Sequence, residues 1–148
     1  MALVRRIEIL PLEAMQSGTA AFLTPQTSHA TMVVELAPDT VEELFVHRHQ
    51  TDQLMVVRGS CVLVVLENRR YRYLRLSEQG RQVVRIPPGV PHGAINLSGA
   101  VCVMVNAVIR NGAPDPRDYQ PRRAPFPYDL EALRPLSAIA PSPLMYEI

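Results

Sequence analysis

Hydrophobic and polar positions along the 148-residue chain fall into short apolar runs separated by turn residues. Thr31–Leu36, Glu43–Val46, Gln53–Val57, Cys61–Leu66, Tyr71–Leu76, Gln82–Ile86 and Val101–Ile109 are rich in Val, Ile, Leu, Tyr and Thr, the residues that fit a pleated, half-buried surface. Between them stand Pro38-Asp39, Arg58-Gly59-Ser60, Glu67-Asn68, Glu78-Gln79-Gly80, Pro87-Pro88-Gly89 and Leu97-Ser98-Gly99, each with the chemistry of a turn. Strands this short and this evenly spaced predict an all-β sandwich or closed barrel. Tyr71–Leu76 alternates in part, as a strand with one wet face does. Cys61–Leu66 is apolar throughout, which predicts cover on both faces.

The pattern changes after Ile109. Pro114, Pro116, Pro121, Pro125, Pro127, Pro135, Pro141 and Pro143 punctuate the tail, a density that excludes a sheet interior or a long helix. One short helix is expected, near Asp129–Leu133. Phe126, Tyr128, Leu130, Leu133 and Leu136 supply apolar anchors. The expected division is therefore a barrel over residues 1–110 and a proline-rich extension over 111–148, packed on the barrel or on a partner subunit.

Composition narrows the function classes. Hydrophobic residues make up 47% and charged residues 20%, the balance of a globular domain. No apolar run approaches the ~18 residues needed to span a bilayer. A net charge of +1 argues against an electrostatic footprint for nucleic acid or a membrane surface. Met1–Glu8 lacks the apolar stretch of a leader, so the cytoplasm is the expected location. All 15 basic residues are arginines, which excludes a lysine Schiff base or lysine general base. Any anionic substrate group would be held by guanidinium forks. The two cysteines, Cys61 and Cys102, lie in apolar runs and read as buried free thiols.

Three of the four histidines form a pattern. His47 and His49 are one residue apart at the end of a predicted strand, so in an extended chain both imidazoles share a face. Asp52 and Gln53 follow. Pro87-Pro88-Gly89-Val90-Pro91-His92 then opens a further strand, with Asn96 four residues on, and the proline and glycine force a turn that fixes where His92 enters the sheet. His29 lies outside the pattern.

A histidine pair followed by P-x-G-x-x-H-x-x-x-N resembles the cupin superfamily, over roughly Ala37–Ile109. The resemblance implies a double-stranded β-helix, or jelly roll, with the proline-rich C-terminal arm added. It also implies a mononuclear site for a divalent transition metal (Zn, Ni, Fe, Mn or Cu) acting on a small organic molecule. Two positions depart from the family pattern: Val41 stands where a glycine is usual, and the acid after the histidine pair is replaced by Gln53 or displaced to Asp52. Counting forward from His49 selects Gln53 and counting back from Gly59 selects Asp52. Strand alternation favours Gln53, so the expected ligands are His47, His49, Gln53 and His92.

The same residues, with Gly59-Ser60 and Asp115-Pro116-Arg117-Asp118-Tyr119, are also similar to nucleotide-sugar ketoisomerases and 3,5-epimerases of the cupin fold. That resemblance implies metal-free chemistry: His47 or His49 as general base beside a keto group, and a tyrosine such as Tyr71 or Tyr73 returning the proton. Arg58, Arg72, Arg75 and Arg85 are then candidates for holding a diphosphate. A barrel that binds a ligand without catalysis is the third reading. A homodimer is expected in each case.

Overall fold

The computed structural model describes residues 6–138, with the side chains of residues 135–138 excepted. Pro141, Pro143 and the Pro135 and Leu136 side chains, all part of the expected extension, lie outside the described residues. Among the described residues eleven strands form in chain order: β1 Glu8–Pro11, β2 Ala14–Ser17, β3 Ala20–Leu23, β4 Ala30–Leu36, β5 Thr40–Val41, β6 Gln50–Arg58, β7 Ser60–Glu67, β8 Arg70–Ser77, β9 Gln82–Ile86, β10 His92–Asn96 and β11 Cys102–Arg110. A turn of 3₁₀ helix, Pro116–Tyr119, and one α-helix, α1 Leu130–Ala138, follow.

The strands assemble into a five-stranded sheet, β1-β9-β6-β11-β4, facing a four-stranded sheet, β5-β10-β7-β8, with β2-β3 as a separate hairpin. The paired strands are antiparallel throughout. This is the predicted all-β jelly roll. Among the described residues no helix is long and apolar enough to cross a membrane.

The fully apolar run in β7 has its reason in this layering. Cys61, Leu63 and Val65 point between the sheets, where they pack with Leu36, Leu54, Leu74 and Ile86. Val62 and Val64 point the other way, into a second cluster with Leu44, Tyr73, Ile95 and Leu133 of α1. Leu133 is wholly buried, so the C-terminal segment covers the outer face of the four-stranded sheet. Tyr71 fixes its approach: the ring lies 4.2 Å from Phe126, and the hydroxyl donates to the Phe126 carbonyl at 2.6 Å.

Two expectations change. Glu43–Val46 is not a regular strand; only Leu44 and Phe45 make bridges, to Arg122 and His92. β1, β2 and β3 carry no alternation that would have announced them; β2 and β3 are exposed at every position. Gly59 matters locally. Its φ is +80°, and a Cβ there would lie 2.7 Å from the Val101 carbonyl oxygen, so the tight β6–β7 turn requires glycine.

Candidate active site

Two backbone devices bring distant histidines together. Phe45 and His92 exchange N–H···O=C bonds of 2.7 and 3.0 Å, which sets the segment before His47 beside β10. Gly93 permits that approach, because a Cβ at this position would stand 2.5 Å from the Glu43 carbonyl oxygen. The Pro87–Pro91 turn completes the arrangement: Gly89 N–H donates to the His47 carbonyl at 2.7 Å, and His92 Nδ1 lies 2.9 Å from the Val90 carbonyl.

At the centre is Asp52, which is 3% exposed. Its Oδ2 lies 3.1 Å from His47 Nε2 and 3.0 Å from His92 Nε2, while Oδ1 accepts from Gln50 Nε2 at 2.6 Å. Gln50 is held in turn by the Tyr119 hydroxyl at 2.9 Å and by Arg110 Nη1 at 3.1 Å, both donating to its Oε1. Burial works against ionising Asp52, but the hydrogen bonds and charge from His47 and His92 outweigh it and hold the carboxyl far below the usual carboxylate range.

Proton positions follow from this network. His92 faces a carbonyl with one nitrogen and a carboxylate with the other, and a doubly protonated ring satisfies both. His47 Nε2 lies against Asp52 Oδ2, and its Nδ1 is buried without a hydrogen-bond partner. The two imidazoles are 5.2 Å apart by ring centroid, and the Tyr119 ring is 5.4 Å from His47. Beside them a cavity of about 170 Å³ opens between the sheets. Its walls are Met32, Val34, Leu54, Leu63 and Met104, and its polar groups are His47, Asp52, His92, Asn106, Glu42 and Tyr119.

The predicted ligand set is not assembled as such. His47 and His92 meet, but His49 is exposed and its side chain packs against Gly112. Gln53 turns to the outer face of the five-stranded sheet: its amide donates to the Thr27 and Ala107 carbonyls at 3.0 and 2.9 Å and accepts from Arg85 Nε at 3.0 Å. Asp52 takes the inward place. The chain bends at Arg48 and His49 before β6 begins at Gln50, so the parity of His47 and His49 does not carry into the strand.

Tyr73 is likewise not at the site. It lies on the outer face of β8, in the cluster with Leu133, and its hydroxyl accepts from Asp129 N–H at 3.0 Å. None of Arg58, Arg72, Arg75 and Arg85 lines the cavity. The tyrosine that does is Tyr119, the last residue of the Asp115–Tyr119 element noted in the sequence. Glu42 and Gln50 were not anticipated. Gln50 shares strand parity with Asp52 and Leu54, a signal readable once β6 is started at residue 50.

The donor chemistry fits a divalent transition ion. His47, Asp52 and His92 each offer a ligand atom, all within 4.8 Å of one another, and two imidazoles with a carboxylate suit such metals. The Val90 carbonyl on His92 Nδ1 is the kind of outer contact that orients a ligating imidazole.

The fold that carries this site is the cupin jelly roll. Solved structures sharing it include a TDP-quinovose 3,4-ketoisomerase from Campylobacter jejuni (TM-score 0.66, 14% identity, 80% of this chain and 95% of that one). A dTDP-sugar isomerase from Desulfovibrio desulfuricans aligns with TM-score 0.59 at 21% identity, over 76% of this chain and 85% of that one. A third is a variant 3,4-ketoisomerase from Thermoanaerobacterium thermosaccharolyticum in complex with TDP-4-keto-6-deoxyglucose, at TM-score 0.61 and 10% identity, over 79% and 87% of the two chains. No family model and no curated protein sequence matches the chain.

Proposed function

We propose that the protein is a cupin-fold isomerase or epimerase that moves a proton at the carbon beside a keto group, with a nucleotide-linked keto sugar as its substrate. One observation carries the reading: Asp52 is hydrogen-bonded to two histidines on the wall of an interior cavity. The nucleotide-sugar enzymes that share the fold support the substrate class. His47 is the base. Its imidazole lines the cavity and takes the proton from carbon, and the charge that results is stabilised by ionised Asp52 beside Nε2. His92, bonded at both nitrogens, holds Asp52 from the other side.

The test is to incubate the protein with TDP-4-keto-6-deoxyglucose in D₂O and follow deuterium uptake and product by NMR. Wild type should exchange a ring proton, and His47→Ala should not. Silence of the wild type across a panel of nucleotide-linked keto sugars would sink the reading.

A metal-dependent enzyme acting on a small molecule is the second reading, favoured by the close grouping of His47, Asp52 and His92. A bound ion would polarise the substrate carbonyl; the three side chains would hold it and Gln50 would fix Asp52. Metal analysis separates the two, since one equivalent lost in His92→Ala supports the ion, and protein still metal-free after incubation with Fe, Mn, Ni and Zn refutes it.

The active form is a homodimer in this proposal. A row of Val33, Val105 and Met55 runs across the outer face of the five-stranded sheet, and Met15 and Phe22 stand exposed on the neighbouring hairpin. Sedimentation as a 16.5 kDa particle at micromolar concentration would refute this. Two buried cysteines left unpaired support a reducing compartment, the cytoplasm.

A further inference from the structure

Isomerisation of a keto sugar needs a second proton-carrying group, because the carbonyl oxygen must gain a proton as the neighbouring carbon loses one. The tyrosines proposed for that task from sequence lie on the outer face of β8, and Tyr119, the one tyrosine lining the cavity among the described residues, has its hydroxyl proton committed to Gln50. That leaves Glu42.

Glu42 follows β5 directly and lines the same cavity as His47 and His92. Its own N–H donates to the Ala94 carbonyl at 3.2 Å, which sets the residue on β10 two positions from His92. The next residue, Glu43, faces outward instead, its carboxylate accepting from Ala124 N–H. Each of the two acidic neighbours thus has its own surroundings, and only Glu42 reaches the interior.

We infer that Glu42 is the proton donor of this site, facing the substrate's carbonyl oxygen while His47 works at the adjacent carbon. The inference rests on the isomerase reading above. In the forward step the C–H bond breaks to His47, its electron pair forms the carbon–carbon double bond, and the carbonyl π pair moves to oxygen, which takes the Glu42 proton. In the return step Glu42 carboxylate accepts the proton of the neighbouring hydroxyl as that carbon becomes the new carbonyl. The His47 imidazolium then protonates the old carbonyl carbon. Atoms and electrons balance without an outside oxidant.

The surroundings of Glu42 agree with a proton-holding role. Burial pushes its carboxyl above the ordinary glutamate value, against the opposing pull of the Ala94 N–H and the charge of His92. Cys61 of β7 and Tyr128 of the C-terminal segment also feel its charge.

Two measurements test the assignment. The first needs no substrate: ¹³C NMR of the labelled Glu42 carboxyl, assigned with Glu42→Gln, should show a midpoint above the ordinary glutamate value of about 4.3. The second uses TDP-4-keto-6-deoxyglucose: Glu42→Gln should lower turnover by about 10²–10⁴-fold and abolish the high-pH limb of the rate profile, with partial recovery in Glu42→Asp. A carboxyl titrating at or below the ordinary value, or a Glu42→Gln enzyme with wild-type turnover and an unchanged limb, overturns it. If wild type leaves the whole panel of nucleotide-linked keto sugars untouched, the isomerase reading fails while the carboxyl midpoint still decides whether Glu42 is the acid of the cavity.

Discussion

Replacing Asp52 by Asn keeps the size and shape of the side chain and removes its charge. In the native protein one oxygen accepts from both His47 and His92 and the other accepts from Gln50. Asn cannot serve all three. With its oxygen toward the histidines its NH₂ faces the Gln50 NH₂, and Gln50 cannot flip without losing Tyr119 and Arg110 from its own oxygen. With its NH₂ toward the histidines it meets two ring nitrogens that both donate in the native state. At least one buried donor goes unmatched either way, at about 1–3 kcal/mol. Loss of the charge beside His92 adds to this, and a broken buried pair costs about 3–5 kcal/mol in all. Because a histidine can release its proton, the lower end applies, about 3 kcal/mol. For a chain of this size that is a fall of about 6–12 °C in Tm.

The pH dependence has a definite sign. The Asp52 carboxyl is lowered in the folded protein, so its contribution is fully present above the unfolded value of about 3.9 and is lost as pH falls toward the folded one. Urea unfolding from pH 7 down to pH 3 should show wild-type stability declining below about pH 4–5, with that part of the decline missing in Asp52→Asn. Activity should fall about 10²–10⁴-fold with the loss of the group that orients His47. A variant within 1 kcal/mol of wild type at pH 7, with the same acid slope, would show that Asp52 is not the ionised centre of the network.

Gly93→Ala should destabilise by about 1–3 kcal/mol and cut activity, because the new methyl would press on the Glu43 carbonyl and shift the segment leading to His47; an unchanged Tm would refute the close approach. Tyr119→Phe removes the 2.9 Å bond to Gln50 and should cost about 1 kcal/mol in unfolding free energy, with a larger relative loss in turnover than in KM. His49→Ala, at an exposed position, should leave turnover and metal content within twofold, a direct check on its exclusion from the site. Tyr73→Phe should lower Tm slightly through the lost Asp129 contact and leave the pH–rate profile unchanged.

The sequence revealed the site unevenly, for physical reasons. His92 was legible because prolines and a glycine fix the backbone before it, and such turns are encoded locally. β7 was legible because burial on two faces forces an unbroken apolar run. The choice between Asp52 and Gln53 was not, since it depends on side-chain parity, and a bend at Arg48 and His49 resets parity without any proline or glycine to mark it. Tyr73 misled because alternation tells which residues share a face but not which face looks inward; the inward set on β8 is Leu74 and Leu76. Glu42 and Tyr119 enter the cavity through tertiary approach, Glu42 by the gap at Gly93 and Tyr119 from beyond the barrel. Neither approach leaves a periodic trace.

The Pro87–Pro91 turn gathers both histidines by its main chain, one through Gly89 N–H and the other through the Val90 carbonyl. Three of its five residues are prolines, whose φ is already restricted before folding. Much of the ordering entropy of the site is thereby removed from the unfolded chain instead of being exacted at substrate binding. The two imidazoles are also yoked to one short stretch of backbone. An insertion or deletion there would displace both at once, which makes this turn, more than either histidine, the place where a descendant of this protein would lose its chemistry in a single step.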